Sequence, residues 1–500
     1  MGKHWHHSIG SDGIVNLVLD KANSKVNTLS QKVLEELELV LAELGTISPK
    51  GLVFKSGKSS GFILGAEVSE FSQVKTAAVA TEAVRWGQAL FRQITELPFP
   101  TVAAIDGLAL GGGLELALAC DYRVVTDSYS RTLGLPEVRL GIHPGLGGTV
   151  RTVHLVGPLK ALDLMLTGRS LSPRQALTIG LIDRIVGRED LGRVAAEYIH
   201  GRPNCRRAPW YLRFLNLPVL RPWIARKLEA EVARRAYRTH YPAPYAIVDL
   251  WRCHGGHGDR AYAAEAASFG ELLVSNSSRN LVRVFFLRER LRNLAPRERN
   301  VRQVHVVGAG VMGGDIAAWC ATKGLTVTLQ DRAQEFVEPA LSRAEKLFKR
   351  SLRAPGEAKA AKQRLIVDLE GTQAGSADVV IEAVVEQLGV KQNVLSDLES
   401  RVKSNALIAT NTSSIQLEDM ATSLSHPERF VGLHFFNPVS KVPLVEVIRG
   451  TKSSEESLQA AMSFVIQIGK LPLPCRSAPG FLVNRILAPY MIEALRTRED

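Results

Sequence analysis

The chain has 500 residues, room for roughly two to four domains at the usual domain size. Hydrophobic residues make up 45% of it, which describes a globular chain able to bury large cores, and no apolar run approaches the ~20 residues of a membrane span, so no integral membrane segment is expected. Net charge is +12; Lys and Arg concentrate between residues 200 and 300 without a DNA- or RNA-binding motif, which ranks a merely basic surface first, a phosphate-bearing small substrate next and nucleic acid last.

Met1-Gly-Lys-His-Trp5 lacks an apolar signal core, so no targeting segment is expected at this end. Residues 8–20, with Ile14, Val15, Leu17 and Leu19 apolar, read as a strand. Ser30 is the expected N-cap of a helix carrying Val33, Leu34, Leu37, Leu41 and Leu44. A strand follows at 51–55, a loop from Gly57 to Gly65, a helix over 77–97 and a buried strand over 100–105. Then comes Gly111-Gly-Gly113-Leu-Glu115, a glycine cluster opening a helix. Three glycines there mean something approaches the backbone closely, and unsatisfied N–H groups at a helix start can hold developing negative charge. Glu115 falls in the first helical turn. A second carboxylate, Glu137, follows Leu135-Pro136 ahead of the glycine-rich stretch Gly141 to Gly148.

Phe62-Ile-Leu-Gly65-Ala66-Glu67-Val68, Gly107 to Glu115, Leu135-Pro-Glu137 to Gly148, and Leu166-Thr-Gly-Arg169 to Asp183 together resemble the crotonase (enoyl-CoA hydratase/isomerase) family over roughly residues 10–190. The resemblance implies an oxyanion hole from the N–H groups of Ala66 and Gly112. It implies that Glu115 and Glu137 share a water, one acting as base and one as acid, with the assignment open and Glu137 the carrier in any double-bond shift. Two departures stand out: Glu67 replaces the family's usual Asp, and Asp127 to Thr132 is about two residues longer than usual.

From 191 to 300 no catalytic pattern occurs. Prolines at 203, 209, 218, 222, 242 and 244 interrupt it, Tyr262 to Leu273 reads as helix, Asn280 to Glu289 continues this helical character, and Arg288 to Arg302 reads as a charged connector. The five cysteines (Cys120, Cys205, Cys253, Cys320, Cys475) are scattered, as reduced thiols are. Cys253-His254 with His257 sits in a glycine-rich stretch and reads as a solvated loop, so no metal is expected.

At Val304-His-Val-Val-Gly308-Ala-Gly310-Val-Met312-Gly313 a β-branched run feeds a Gly-x-Gly-x-x-Gly turn, an apolar helix pattern and a second strand, Leu325 to Leu329. Asp331 stands about 20 residues past the first glycine, where a carboxylate grips a ribose 2′-OH. This is the dinucleotide fingerprint in its full βαβ context, and it points to NAD, with Gly308, Gly310, Met312, Gly313 and Asp331 as cofactor-binding residues. Asp315 stands where a small residue is usual; it either weakens cofactor binding or caps the helix. Strand patterns at 378–386, 407–414, 429–438 and 442–447 follow, with polar residues at their ends, where ligands bind in an open parallel sheet. His434 at such an end, ahead of Glu446, suits a base that takes a hydroxyl proton with a carboxylate orienting it.

His434-Phe-Phe-Asn437-Pro438 and Pro479-Gly-Phe-Leu-Val-Asn484 resemble L-3-hydroxyacyl-CoA dehydrogenase. The resemblance implies His434 as base, Glu446 as its partner, Ser413 and Asn484 on the substrate-oxygen or nicotinamide side, and Glu386, Lys391 and Asn437 lining the NAD site. The whole chain resembles the fused hydratase–dehydrogenases of fatty-acid β-oxidation. The fold class expected is a multidomain α/β protein: a crotonase-like (spiral ββα) domain at 1–190, a helical linker at 191–300, a Rossmann-type NAD-binding domain at 301–478, and at 479–500 the start of a helical domain that ends early, leaving Ile486, Leu487, Tyr490, Met491 and Ile492 exposed. The function expected is hydration of trans-2-enoyl-CoA and NAD-linked oxidation of the (3S)-3-hydroxyacyl-CoA product. The alternatives are a hydratase/isomerase whose NAD-binding half does not turn over, and a non-enzymatic CoA-binding assembly subunit. Expected partners are acyl-CoA thioesters, with a thiolase subunit as candidate and no nucleic acid; the expected setting is bacterial cytoplasm.

Overall fold

The computed structural model describes residues 2–47, 49–127, 132–295, 301–352 and 356–499. They form two compact units, Met1–Phe285 and Phe286–Asp500. Two sequence features fall partly outside the described residues: the lengthened segment at 128–131 and the connector at 296–300.

The first unit is built on a six-stranded sheet in the order Trp5–Ile9, Ile14–Leu19, Gly51–Ser56, Thr101–Ile105, Tyr122–Thr126 and Arg184–Val186. Its first pair is antiparallel and the others are parallel. The single strand expected over 8–20 is instead a hairpin. Gly10 N donates to Ile14 O and Gly13 N to Gly10 O, which closes a turn in the middle of the expected run. The polar run His6-His7-Ser8 hid the first strand; its anchor is Trp5, buried edge-on against Phe54. The helix Gln31–Ile47 starts as the sequence suggests, with Ser30 Oγ accepting from Val33 N and with Val33, Leu37, Leu41 and Leu44 buried on one face. Truncating a side chain such as Leu37 or Phe54 in this core costs about 2–5 kcal/mol. A small sheet of Ala109–Leu110, Leu133–Gly134 and Ser170–Leu171 stands beside the main one. It fixes the two turns that carry Glu115 and Glu137.

The helical linker expected over 191–300 contributes packed helices to this unit as far as Phe285. Gly258–Leu273 lies along Ala77–Thr95 and buries Ala266, Phe269 and Leu273. Asn276–Arg292 is helical, as the pattern of 280–289 suggests, and runs on into the first residues of the expected charged connector.

The second unit carries an eight-stranded sheet ordered Leu365–Val367, Thr326–Gln330, Gln303–Val307, Val379–Glu382, Leu407–Thr410, Phe430–Phe435, Leu444–Arg449 and Leu471–Arg476. All neighbours are parallel except the antiparallel pair 430–435 and 444–449. The central strands read as continuous apolar runs because helices cover both faces. The order reverses between Gln303–Val307 and Val379–Glu382, which opens a crevice at their carboxyl ends. The last helix, Val483–Glu499, leaves Ile486, Leu487, Tyr490, Met491 and Ile492 exposed, the face expected from the sequence. Among the described residues no helix is long and apolar enough to cross a membrane.

Candidate active sites

The helix Gly112–Ala119 is buried on every side, so its sequence shows no polar stripe. Its first N–H, that of Gly112, has no intrahelical partner. A Cβ on Gly112 would lie 3.7 Å from Ala66 N, so the two N–H groups expected to form the oxyanion hole are neighbours. Glu67 holds the Ala66 turn in place. Its carboxylate takes hydrogen bonds from Lys21 Nζ at 2.8 Å, Thr28 Oγ1 at 2.7 Å and Ser69 Oγ at 2.8 Å. Partial burial alone would raise its pKa; these donors bring it down to about 2. The longer side chain at this position is thus absorbed in an ion pair.

Glu115 is buried, and its Oε1 accepts from Leu146 N at 2.7 Å and Gly148 N at 2.8 Å. Glu137 opens the short helical turn Glu137–Leu140 and is also buried, yet neither of its oxygens has a hydrogen-bond partner among the described residues. A Cβ on Gly111, whose φ is +51°, would come within 2.6 Å of Glu137 Oε1, so only glycine leaves that carboxyl its place. Both carboxyls face a cleft of about 770 Å³ lined by Leu29, Ala66, Phe71, Val74 and Phe269. Burial raises Glu137 to about 8, with the Glu265 charge adding to it; burial and then the charge of Glu137 also push Glu115 upward. Two like charges cannot both ionise there. The two N–H donors favour charge on Glu115, which leaves the proton on Glu137, whose oxygens have no donor.

A third buried carboxylate was not singled out from the sequence. Glu265, on the 258–273 helix, accepts from Gly147 N at 2.6 Å, Thr149 N at 2.9 Å, Gln88 Nε2 at 2.9 Å and Thr149 Oγ1. It therefore holds the same turn whose Leu146 and Gly148 N–H groups hold Glu115. The only sequence signal was an acid inside an apolar helical pattern, Ala263-Ala-Glu265-Ala-Ala.

In the second unit the glycine turn sits at the crevice. A Cβ on Gly313 would fall 1.9 Å from Gly308 O, so this glycine lets the Val311–Thr322 helix pack on its strand. Gly310 is different: nothing lies within 4 Å of where its Cβ would be. Open space over a backbone turn at a helix start fits a pyrophosphate. Asp331 stands beside the turn, with Oδ2 accepting from Ala309 N at 2.6 Å. Asp315 does not cap the helix: it pairs with Arg343 at 3.1 Å, and Arg343 also donates to Gly310 O, which ties the turn down. Met312 packs against the core next to it.

Glu382, not Glu386, ends its strand. Lys391 is fully buried between them, 2.9 Å from Glu382 Oε1 and 3.3 Å from Glu386 Oε2, so it stands behind the crevice surface. Glu386 in turn accepts from Ser413 N at 2.9 Å and from Thr412 Oγ1, and donors of this kind keep its pKa low against its partial burial. Ser413 and Asn437 are exposed and Asn484 is half-buried. His434 lies in register with Glu446 on the adjacent strand. Its Nδ1 is 2.7 Å from Glu446 Oε2, which assigns the proton to Nδ1 and a free lone pair to Nε2. Glu446 Oε1 accepts from Leu482 N at 2.9 Å and Val483 N at 2.8 Å, at the start of the last helix. Burial would raise Glu446; His434 and these N–H groups lower it, so it stays a carboxylate. Phe436 and Phe481 pack on the imidazole. Among the described residues no group of three or more His, Cys, Asp or Glu is arranged to hold a metal.

Residues 10–203 match the family of enoyl-CoA hydratase/isomerase, and residues 303–478 match the NAD binding domain of 3-hydroxyacyl-CoA dehydrogenase. The chain is 38% identical over 509 residues to the fatty acid oxidation complex subunit alpha of Vibrio vulnificus, covering 98% of this chain and 72% of that protein. It is 36% identical over 504 residues to the corresponding subunit of a Psychrobacter species, covering 97% and 69%. A crystal structure of 3-hydroxybutyryl-CoA dehydrogenase from Escherichia coli is similar at 36% identity and a TM-score of 0.39, over 40% of this chain and 43% of that one. The chain belongs to the family of fatty acid oxidation complex α subunits, in which an enoyl-CoA hydratase half is fused to an NAD-dependent 3-hydroxyacyl-CoA dehydrogenase half.

Proposed function

We propose that Glu115 and Glu137 hydrate a trans-2-enoyl-CoA, and that His434 and Glu446 serve the oxidation of the resulting (3S)-3-hydroxyacyl-CoA. The domains proposed are 1–190 for hydration, 191–300 as helices that buttress and connect, 301–478 for NAD binding and 479–500 opening a helical region. The observation that carries the first half is the asymmetry of the two carboxyls: one held by two N–H donors, the other with no partner and raised to about 8. Ala66 and Gly112 N–H groups hold the thioester oxygen as negative charge develops on it. The Glu115 carboxylate takes a proton from water while its oxygen bonds to C3, and the Glu137 carboxyl gives its proton to C2. The same Glu137 proton carries any double-bond shift.

In the second half, His434 Nε2 takes the hydroxyl proton, and Glu446 orients the ring and stabilises the imidazolium. NAD bound in the crevice would supply the hydride acceptor for this oxidation. Gly308, Gly310, Met312 and Gly313 would hold its pyrophosphate and Asp331 its ribose. Glu386, Ser413, Asn437 and Asn484 line the nicotinamide and substrate end, with Lys391 positioning Glu386.

The product, a 3-ketoacyl-CoA, is the substrate class of a thiolase. The relatives' designation as subunits of a complex supports a thiolase partner, and their bacterial origin supports a bacterial cytoplasmic setting. Giving the purified chain crotonyl-CoA with NAD tests the reading: enoyl absorbance falls and NADH grows. A folded chain that gave neither signal would overturn it.

A further inference from the structure

Beyond the acyl cleft, the first unit has a second cavity, of about 320 Å³, lined by His154, His257, Arg207, Arg213 and Asn216 with Val153 and Pro158. None of these residues lines the acyl cleft. The volume is at the lower end of small-ligand pockets, which run from about 300 Å³. We propose that this cavity binds the dianionic phosphate group of a small phosphorylated molecule.

Charge carries the argument. Among the described residues Arg207, Arg213 and the adjoining Arg221 form no ion pair with a carboxylate, whereas other arginines of this region do: Arg206 with Asp183 at 3.3 Å and Arg238 with Asp249 at 2.9 Å. Arg221 Nε is buried without a hydrogen-bond partner. Two guanidinium groups thus line the cavity with no anion supplied by the described residues, Arg221 stands beside them against Gly255 and donates to Trp251 O at 3.4 Å, and guanidinium matches phosphate oxygens in pairs. The imidazoles of His154 and His257 meet at 4.2 Å between centroids, tilted by 58°. Burial and the surrounding positive charges hold both below the ordinary histidine pKa. A metal cation is the wrong occupant, since the arginines repel it and only two imidazoles converge.

The site is also built. Asn216 Oδ1 accepts from Trp251 Nε1 at 2.8 Å and its Nδ2 donates to Gly255 O at 2.6 Å. It locks the Gly255-Gly256 turn, both residues at positive φ, that presents His257. This gives the Cys253 to Gly258 stretch a purpose its sequence did not disclose. Ala208 N, bonded to His154 O at 2.9 Å, anchors the segment carrying Arg207.

The test titrates inorganic phosphate into the full chain at constant ionic strength, followed by calorimetry and by the histidine imidazole NMR signals. One phosphate binds per chain and shifts two imidazole signals. Arg207→Gln/Arg213→Gln weakens binding at least tenfold and leaves the thermal midpoint and crotonyl-CoA hydration unchanged. His257→Asn removes one of the two shifting signals. Absence of saturable binding, or binding that the double variant keeps intact, overturns the proposal; the second result would place phosphate elsewhere, as on the CoA-binding surface.

Discussion

At the scale of single residues, the two sites rest on the same device: a buried carboxylate held by backbone N–H groups so that its neighbour has a defined proton. Glu115 is held by Leu146 and Gly148, and Glu446 by Leu482 and Val483. Glu137→Gln keeps the shape of the cleft and removes the transferable proton. Hydration should fall by about 10²- to 10⁴-fold, with the KM for enoyl-CoA little changed. Because the Glu137 carboxyl loses its proton at about 8, hydration by the native chain falls as pH rises through that value. Stability follows the same sign. The unfolded carboxyl ionises near 4.5 and the folded one at about 8, so the folded state binds more protons between them and loses stability as pH rises through that window. Thermal midpoints taken from pH 5 to 9 should decline, and the slope should flatten in Glu137→Gln.

At the scale of elements, Glu265 shows what the sequence could not display. An acid in an alanine-rich helix reads as a solvated face until the helix is docked on Ala77–Thr95 and its carboxylate meets four donors. Glu265→Ala leaves those donors unsatisfied and loosens the 145–149 turn. Stability should fall by roughly 2–4 kcal/mol, and kcat for hydration should fall while KM, set by the Ala66 and Gly112 side, holds. An unchanged kcat would deny Glu265 any positioning role. The glycine turn offers a paired comparison. Gly313→Ala puts a methyl group into Gly308 O and should destabilise the second unit. Gly310→Ala meets open space at an ordinary negative φ, so the unit stays folded while NAD binding weakens at least tenfold by calorimetry. The legible parts were those set by local chemistry: the Ser30 cap, the glycine turns, the strand-end His434. The illegible parts were set by distant partners: Trp5 pinning a polar strand against Phe54, Arg343 neutralising Asp315, and Lys391 withdrawn between two glutamates.

At the scale of the whole molecule, the chain is two compact units with one candidate site in each, and the product of a hydratase half is the substrate class of a 3-hydroxyacyl-CoA dehydrogenase half. The helices of 191–285, without a catalytic motif in their sequence, complete the first unit. They do so through long-range packing that no short motif records. If each unit carries its own chemistry, losses in one should not spread to the other.

The most direct test follows enoyl absorbance and NADH separately with Glu137→Gln and His434→Ala variants, giving each crotonyl-CoA and then (3S)-3-hydroxybutyryl-CoA. Glu137→Gln should fail to hydrate the first yet form NADH from the second, and His434→Ala should hydrate normally and form no NADH. If Glu137→Gln still hydrates at the native rate, or His434→Ala still reduces NAD, the residues named here do not carry the chemistry.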